Sequence, residues 1–390
     1  MPPNKKIIFI THFIPNDIGH GGNHRTYQIL HDIETAVGKD NVILFCVPVR
    51  KYQYTKNPFI KTIRILRYWA HKYYDNPFKL IHKTKYSNRQ FCSAERVEDY
   101  INMVSKIKVP VICVIEHSGF EEIVRYNNKN GITTISCIQN IESFDTNQIK
   151  FNKKYYSNTI TSDFANELKI LSLCQVRLFI SKIETGLITG LDIPSQYYPY
   201  LPVGDIRKRL LDIRNKRYNG KIMNNLFLMI GTAAHSTTWD SMKRFILSAK
   251  KNGLPPNIEI TVIGKKTDQL SEYAVGLSNV KYYGWIEQTE LDNLLVKAKA
   301  IIAPHFFGFG ALTRITEFAC AGIPVAISSH SAMAVNIPPG VTVVDDNWNE
   351  WYAAIEKLAT EKIENNENDY QVWEKQQNNT LIKTLKKYIT

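Results

Sequence analysis

Short runs of apolar, β-branched residues alternate along the whole chain with helix-length stretches whose apolar positions recur every three or four residues. In the first half the strand-like runs fall at 5–13, 41–47, 109–115, 132–138 and 176–181, and helical periodicity fills 22–36, 94–107, 120–129 and 161–173 between them. The rhythm restarts after residue 200, with strand-like runs at 225–230, 258–263, 279–283, 300–303, 323–328 and 341–345 and a last helix over 369–388. Strands separated by helices predict parallel sheets covered on both faces. The alternation lapses in QYYPYLPVGDIRKRLLDIRNKRYNGK, where prolines, glycines and a run of bases place a boundary near 202–221. The expected fold is therefore α/β, two Rossmann-like doubly wound domains facing each other across a cleft. An N-terminal unit spans 1–203 and a C-terminal unit 204–390, with the last helix expected to pack back on the first domain. Ligands of such sheets bind beyond the carboxyl ends of the strands, so the residues just after each strand carry the most information.

Composition adds little to this picture until it is resolved by position. The 390 residues are 44% apolar and carry a formal charge of +13. Residues 50–89 hold eleven Lys or Arg against one acid, Asp75, a local +10, while the remaining chain totals only +3. On a helical wheel from Phe59 to Tyr74, Phe59, Ile63, Leu66, Ala70, Tyr73 and Tyr74 share a sector of about 120°, with Lys61, Arg64, His71 and Lys72 opposite. A basic amphipathic helix over 57–77 with Trp69 and several Tyr suits an anionic membrane surface; its apolar stripe could equally pack on the N-terminal domain. No recognised nucleic-acid module accompanies the charge, which argues against nucleic acid as partner. Cys46, Cys92, Cys113, Cys137, Cys174 and Cys320 show no CxxC spacing and read as free thiols of a reducing compartment. With no apolar span of about 18 residues, a chain crossing the membrane is not expected, and a cytoplasmic protein, peripheral at the membrane face, is.

Candidate chemistry concentrates in AIIAPHFFGFGALTRITEFACAGIPVAIS, residues 300–328. A strand ends, Gly308 and Gly310 follow, and a helix runs from about Ala311 to Ala321. Glycines at that junction let the N–H groups of Ala311, Leu312 and Thr313 point at an anion, with the helix dipole adding to the attraction. Arg314 can complement a diphosphate, and Glu317 can accept two hydrogen bonds from a cis-diol such as a ribose. The same pattern also fits a glycine turn opening a core helix.

PHFFGFGALTRITEFACAGIPVAIS resembles the signature of retaining nucleotide-sugar glycosyltransferases of the GT-B fold, close to family 4. In the G-x-G-x-x-x-K-x-x-E form of that signature, Gly308, Gly310, Arg314 and Glu317 fill the marked places, with Arg for Lys. The likeness extends back through NVKYYGWIEQTELDNLLVKAKAIIAP, ITVIGK and LFLMIGTAAHS, which brings in Gly231 and Thr232 as donor contacts. In the first half THFIPNDIGHGGNHR is similar to the family's glycine loop and helix, placing Gly21, Gly22 and Arg25 beside donor phosphates or acceptor. Gln139, Asn140 and Glu142 occupy the loop that reads H-N-x-E in many relatives, with Gln139 where His is common. Phe309 stands where an E-x7-E pattern has its first Glu, as in a glycine-rich subgroup.

The resemblance implies a nucleotide diphosphate sugar as donor substrate, no resident cofactor or metal, and a glycan or lipid-linked glycan as acceptor. It implies retention of configuration, a β-phosphate oxygen taking the acceptor's proton. Arg314, the loop N–H groups and Lys265 or Lys266 would stabilise the leaving group, and Gln139 and Glu317 would complete the catalytic set. His117 and His305, each just after a strand, stand on the expected cleft rim. No metal-ligand spacing is present; Asp345 and Asp346 read as a turn or helix cap. Two other functions fit the same fold, a non-catalytic sugar-nucleotide or glycan-binding scaffold and a nucleotide-sugar epimerase.

Overall fold

The computed structural model describes residues 5–47, 94–144, 160–220 and 222–389. The basic block at 50–89, the amphipathic segment 57–77 within it and Cys92 lie outside the described residues.

The N-terminal unit runs β1 (Lys6–Thr11), α1 (Gly21–Val37), β2 (Val42–Cys46), α2 (Ala94–Ser105), β3 (Val111–Ile115), α3 (Glu121–Lys129), β4 (Thr133–Ile138), α4 (Ile160–Leu173), β5 (Val176–Phe179), α5 (Lys182–Gly190) and β6 (Gln196–Tyr197). Its strands pair in parallel in the order β2-β1-β3-β4-β5-β6. A parallel strand buried on both faces is apolar at every position. Alternate residues of β1 accordingly serve opposite sides. Ile7 and Phe9 pack with Ile29 and Ile33 of α1, whereas Ile8 and Ile10 pack with Tyr100 of α2 and Ile123 of α3.

The C-terminal unit runs α6 (Gly204–Asn219), β7 (Met223–Ile230), α7 (Ser236–Asn252), β8 (Glu259–Ile263), β9 (Val280–Gly284), α8 (Gln288–Lys297), β10 (Ala298–Ala303), α9 (Thr313–Cys320), β11 (Val325–Ser328), α10 (Ser329–Ala332), β12 (Val341–Val344), α11 (Trp348–Thr360), α12 (Glu367–Gln376) and α13 (Thr380–Ile389). Its parallel sheet has the order β12-β11-β10-β7-β8-β9. The two sheets are those expected from the alternation, with strand ends shifted by at most two residues, β7, β9 and β10 running past the expected bounds, and the short β6 added.

Two features depart from the sequence reading. The basic stretch taken as a linker is largely α6, whose Ile206, Leu210 and Ile213 join the C-terminal core with Leu228 and Phe318. Its arginines are structural: Arg214 donates to the carbonyls of Ala319 and Cys320 at 2.7 and 2.8 Å, and Arg217 donates to those of Leu295 and Ala298 at 2.6 and 2.7 Å. Helix ends leave such carbonyls without partners, and a guanidinium satisfies several at once. The single helix expected over 369–388 is two, because Asn379 caps a new start through its own Oδ1, which accepts the N–H of Ile382 at 3.3 Å. The second of these, α13, places Leu381 and Leu385 in the core of the N-terminal unit beside Ile29, Ile33 and Val37. The Thr380 hydroxyl donates to the Tyr197 carbonyl at 2.9 Å, so the chain's last helix completes the first domain. Cys113, Cys137, Cys174 and Cys320 are buried free thiols, and Cys46 is half-buried. Among the described residues no helix is long and apolar enough to cross a membrane.

Candidate functional site

In the C-terminal sheet β7 and β10 are neighbours, but the chain leaves them toward opposite edges, so a crevice opens at their carboxyl ends. Gly231 follows β7, and a Cβ there would overlap the Nη1 of Arg314 and lie 2.9 Å from both Met242 Cε and Thr238 Cγ2. Thr232, half-buried, comes next, its carbonyl accepting the His235 N–H at 3.1 Å. Gly264, at φ +136°, presses against the Gly231 carbonyl with no room for a side chain. Gly264→Ala is therefore expected to destabilise the chain by more than about 1 kcal/mol, read as a lower urea midpoint; an unchanged midpoint would show that the approach is not tight.

After β10, His305 is buried and its Nδ1 has no hydrogen-bond partner. Burial, with Arg314 and His330 nearby, pushes its pKa down to about 3, so the ring is neutral. Gly308, at φ +98°, and Gly310 lead into α9, which begins at Leu312 and Thr313 with no side chain capping its first N–H groups. Arg314 lies in that first turn. Its Nη1 donates to the Ile230 carbonyl at the end of β7, and its Nε is buried without a partner. Burial lowers its pKa to about 10, against the pull of Glu317, which leaves it charged at neutral pH. A buried donor with no acceptor costs about 1–3 kcal/mol, an expense that a bound anion removes. Lys265 and Lys266 stand exposed on the loop after β8, Lys266 in the left-handed region at φ +66°.

The N-terminal sheet has its own switch point between β1 and β3, which brings Thr11 and His12 beside Glu116 and His117. Glu116 is fully buried. Its Oε1 accepts from the Thr11 hydroxyl and from the His12 N–H at 3.0 Å and lies 3.1 Å from His12 Nδ1. Its Oε2 accepts from the Thr26 hydroxyl at 2.5 Å and from Gln139 Nε2 at 3.2 Å. Gln139 thus braces Glu116 and the start of α1, also donating to Thr26 Oγ1 at 3.1 Å. The loop after Gln139 is pinned by buried carboxylates: Glu184 accepts the Ile141 N–H at 2.7 Å, and Glu167 those of Glu142 and Ser143 at 3.0 and 2.9 Å. His117 is buried; its Nδ1 accepts the Gly119 N–H at 2.8 Å, so the proton sits on Nε2, 3.0 Å from Glu142 Oε1.

Arg25 corrects the sequence reading. Its guanidinium turns away from the cleft into the core, stacks 3.9 Å over the Tyr198 ring, and donates to the carbonyls of Tyr198 and Pro199 at 2.8 and 3.1 Å. It joins α1 to the chain beyond β6 and is not placed to touch a ligand.

The two switch points meet through the N-termini of α1 and α9. A Cβ on Gly21 would lie 2.5 Å from Thr313 Oγ1, and one on Gly310 would overlap Asn140 Oδ1, so a side chain at either position would displace Thr313 or Asn140 from its present rotamer. Gly22 is similarly tight against Phe13 and the His20 ring. His24 Nδ1 lies 2.7 Å from Glu317 Oε1, which also accepts from the Tyr200 hydroxyl at 2.8 Å. The Ser181 hydroxyl donates to the Phe309 carbonyl at 2.5 Å, and the Phe309 ring lies 5.4 Å from that of Phe144. Two positively polarised helix ends approach here, and Arg314 lies in the first turn of one of them. Among the described residues no group of three or more His, Cys, Asp or Glu is placed to hold a metal ion, and Asp345 forms a turn, its carbonyl accepting the Asn347 N–H at 2.8 Å.

His12, His24, Glu116 and Tyr200 escaped the sequence reading. His24 lies inside the GHGGNHR motif and Glu116 directly precedes His117 after a strand, so position was the one signal that could have found them. Tyr200 gave no signal, because its partner is 117 residues away.

Two doubly wound domains whose strand ends face a common cleft define the GT-B fold, and the chain has that fold. Solved structures match it along its whole length. They include a sucrose-phosphate synthase from Thermosynechococcus elongatus (13% identity, TM-score 0.59, 98% of each chain covered). WaaG, a glycosyltransferase involved in lipopolysaccharide biosynthesis, matches at 13% identity and TM-score 0.57 over 98% of this chain and 99% of its own. HepE from Anabaena, in complex with UDP-glucose, matches at 12% identity and TM-score 0.57 over 98% of each chain. No family model matches the chain, and no curated protein matches it in sequence.

Proposed function

We propose that the chain is a retaining glycosyltransferase that moves a sugar from a nucleotide diphosphate donor, held by the C-terminal domain, to a glycan or lipid-linked glycan held by the N-terminal domain. The observation that carries this reading is Arg314 in the first turn of α9, its Nε buried without an acceptor, at the helix end that approaches the N-terminus of α1. A diphosphate supplies oxygens for that donor and for the uncapped N–H groups of α9. In the transfer, the acceptor oxygen bonds to the anomeric carbon on the face from which the diphosphate departs. The breaking bond's electron pair leaves with the diphosphate, and the acceptor's proton passes to a β-phosphate oxygen. Leaving-group charge is stabilised by Arg314 and the helix N-terminus, so the transfer needs no divalent ion. UDP sugars are the first donors to test, since HepE is described with UDP-glucose. A lipid-linked acceptor fits WaaG's description and the basic block at 50–89, and would place the protein at the cytoplasmic membrane face.

The test is a panel of nucleotide sugars with and without simple glycan acceptors, in EDTA, following nucleoside diphosphate release and product anomer by NMR. Acceptor-dependent release with the donor's configuration retained is expected. Donor isomerised without acceptor would make the chain an epimerase, and binding of no nucleotide at all would overturn the reading.

A further inference from the structure

We propose that His24 is a positioning residue for the donor site, reaching from the acceptor domain to fix the Glu317 carboxylate in the orientation that grips the ribose of a nucleoside diphosphate. The inference rests on the nucleotide-sugar reading of the cleft. Glu317 lies on the second turn of α9, just past the anion site. Its Oε1 is held twice, by His24 Nδ1 at 2.7 Å and by the Tyr200 hydroxyl at 2.8 Å. Its Oε2 has no protein donor and is not among the buried unpartnered atoms, so it remains open to solvent. A carboxylate with one oxygen pinned by two donors cannot rotate, and its second oxygen is aimed before any ligand arrives.

The pairing favours charge on both partners. Burial opposes ionisation of Glu317, but the charge and hydrogen bond of His24 and the Tyr200 hydroxyl outweigh it and hold the carboxyl below its ordinary range. Burial likewise opposes protonation of His24, and Glu317 raises it in spite of Arg209 on α6; Asp17 on the β1–α1 loop adds to the rise, and His20 also faces it. His24 belongs to α1 and Glu317 to α9, so ribose grip depends on the contact between the domains. Asparagine carries an amide nitrogen close to where a histidine has Nδ1, and it cannot titrate. His24→Asn therefore separates placement of the donor from its charge.

UDP and 2′-deoxy-UDP are titrated calorimetrically into the full chain, its H24A and H24N variants, with GDP, ADP and CDP pairs used where UDP does not bind. Thermal melts confirm that the variants fold. Wild type is expected to prefer the ribonucleotide, with affinity declining as pH rises through the raised pKa of His24. H24A should bind UDP about tenfold more weakly, the scale of one charge-assisted hydrogen bond, and lose the ribose preference. H24N should keep most of the affinity and preference at neutral pH with a flat pH profile. A wild type that binds, paired with an H24A variant that keeps affinity and ribose preference or an H24N variant that behaves as H24A, overturns the inference alone. A wild type that binds no nucleoside diphosphate overturns the reading of the cleft and the inference with it.

Discussion

Replacing Arg314 by alanine is expected to lower kcat/KM for sugar transfer by about 10²–10³-fold, the scale observed when one preorganised donor to a developing negative charge is removed. Arg314 is fixed at its Nη1 end by the Ile230 carbonyl and packed against Gly231, so the guanidinium does not reorganise when a diphosphate arrives. Its Nε is the buried donor still lacking an acceptor, and its pKa of about 10 keeps it charged at neutral pH. Charge on the β-phosphate grows as the glycosidic bond breaks. The loss should therefore fall mainly on kcat, with a smaller rise in KM. Arg314→Lys keeps a point charge and should stay within about tenfold of wild type, because electrostatic stabilisation survives the loss of bidentate geometry. Initial rates at several donor concentrations measure both. Alanine kinetics equal to wild type would remove Arg314 from the leaving-group site.

What could be read from the sequence was what depends on neighbours in the chain. The run Ile7 to Ile10 announced a strand because both its faces are covered. The strand, glycine pair and helix at 300–321 could be read because they follow one another directly in the chain. Arg25 misled, although the periodicity held a warning: Arg25, Gln28, Ile29, Asp32 and Ile33 recur at the spacing of one helix face, and all are buried. The arginines of α6 read as linker charge because the carbonyls they cap lie 78 to 106 residues on. The same distance hides the clasp of His24, Glu317 and Tyr200, whose members come from three separate elements. Long-range polar pairing leaves no periodicity, and the chemistry between the domains is built largely from it.

Glu116→Ala is expected to be the most destabilising single change in the N-terminal domain, by more than about 3 kcal/mol at neutral pH, because several buried donors lose their acceptor at once. Thr11, Thr26, Gln139 and the His12 backbone all point at that one carboxylate, which closes the β1–α1 loop over the end of the sheet. Glu116→Gln retains one carbonyl oxygen but turns an amide N–H₂ toward donors, so it should cost less than alanine and still be measurable. The pH dependence has a definite sign. Burial raises the Glu116 carboxyl, but His12 and the hydroxyls of Thr11 and Thr26 outweigh it, and the folded pKa lies below the ordinary value. The unfolded chain then binds the proton more readily than the folded one. The carboxylate's contribution is full above the unfolded pKa of about 4.3 and is lost as pH falls through the lower folded value. Urea midpoints of the wild type should therefore decline on acidification below that point, more steeply than those of Glu116→Gln, where Glu317 alone of these two carboxyls with lowered pKa remains. Equal slopes would show that the fold does not lower the Glu116 pKa. A midpoint unchanged by alanine would show that the loop holding His12 and the glycine pair stands without it. In that case the N-terminal side of the cleft is organised from α1 alone.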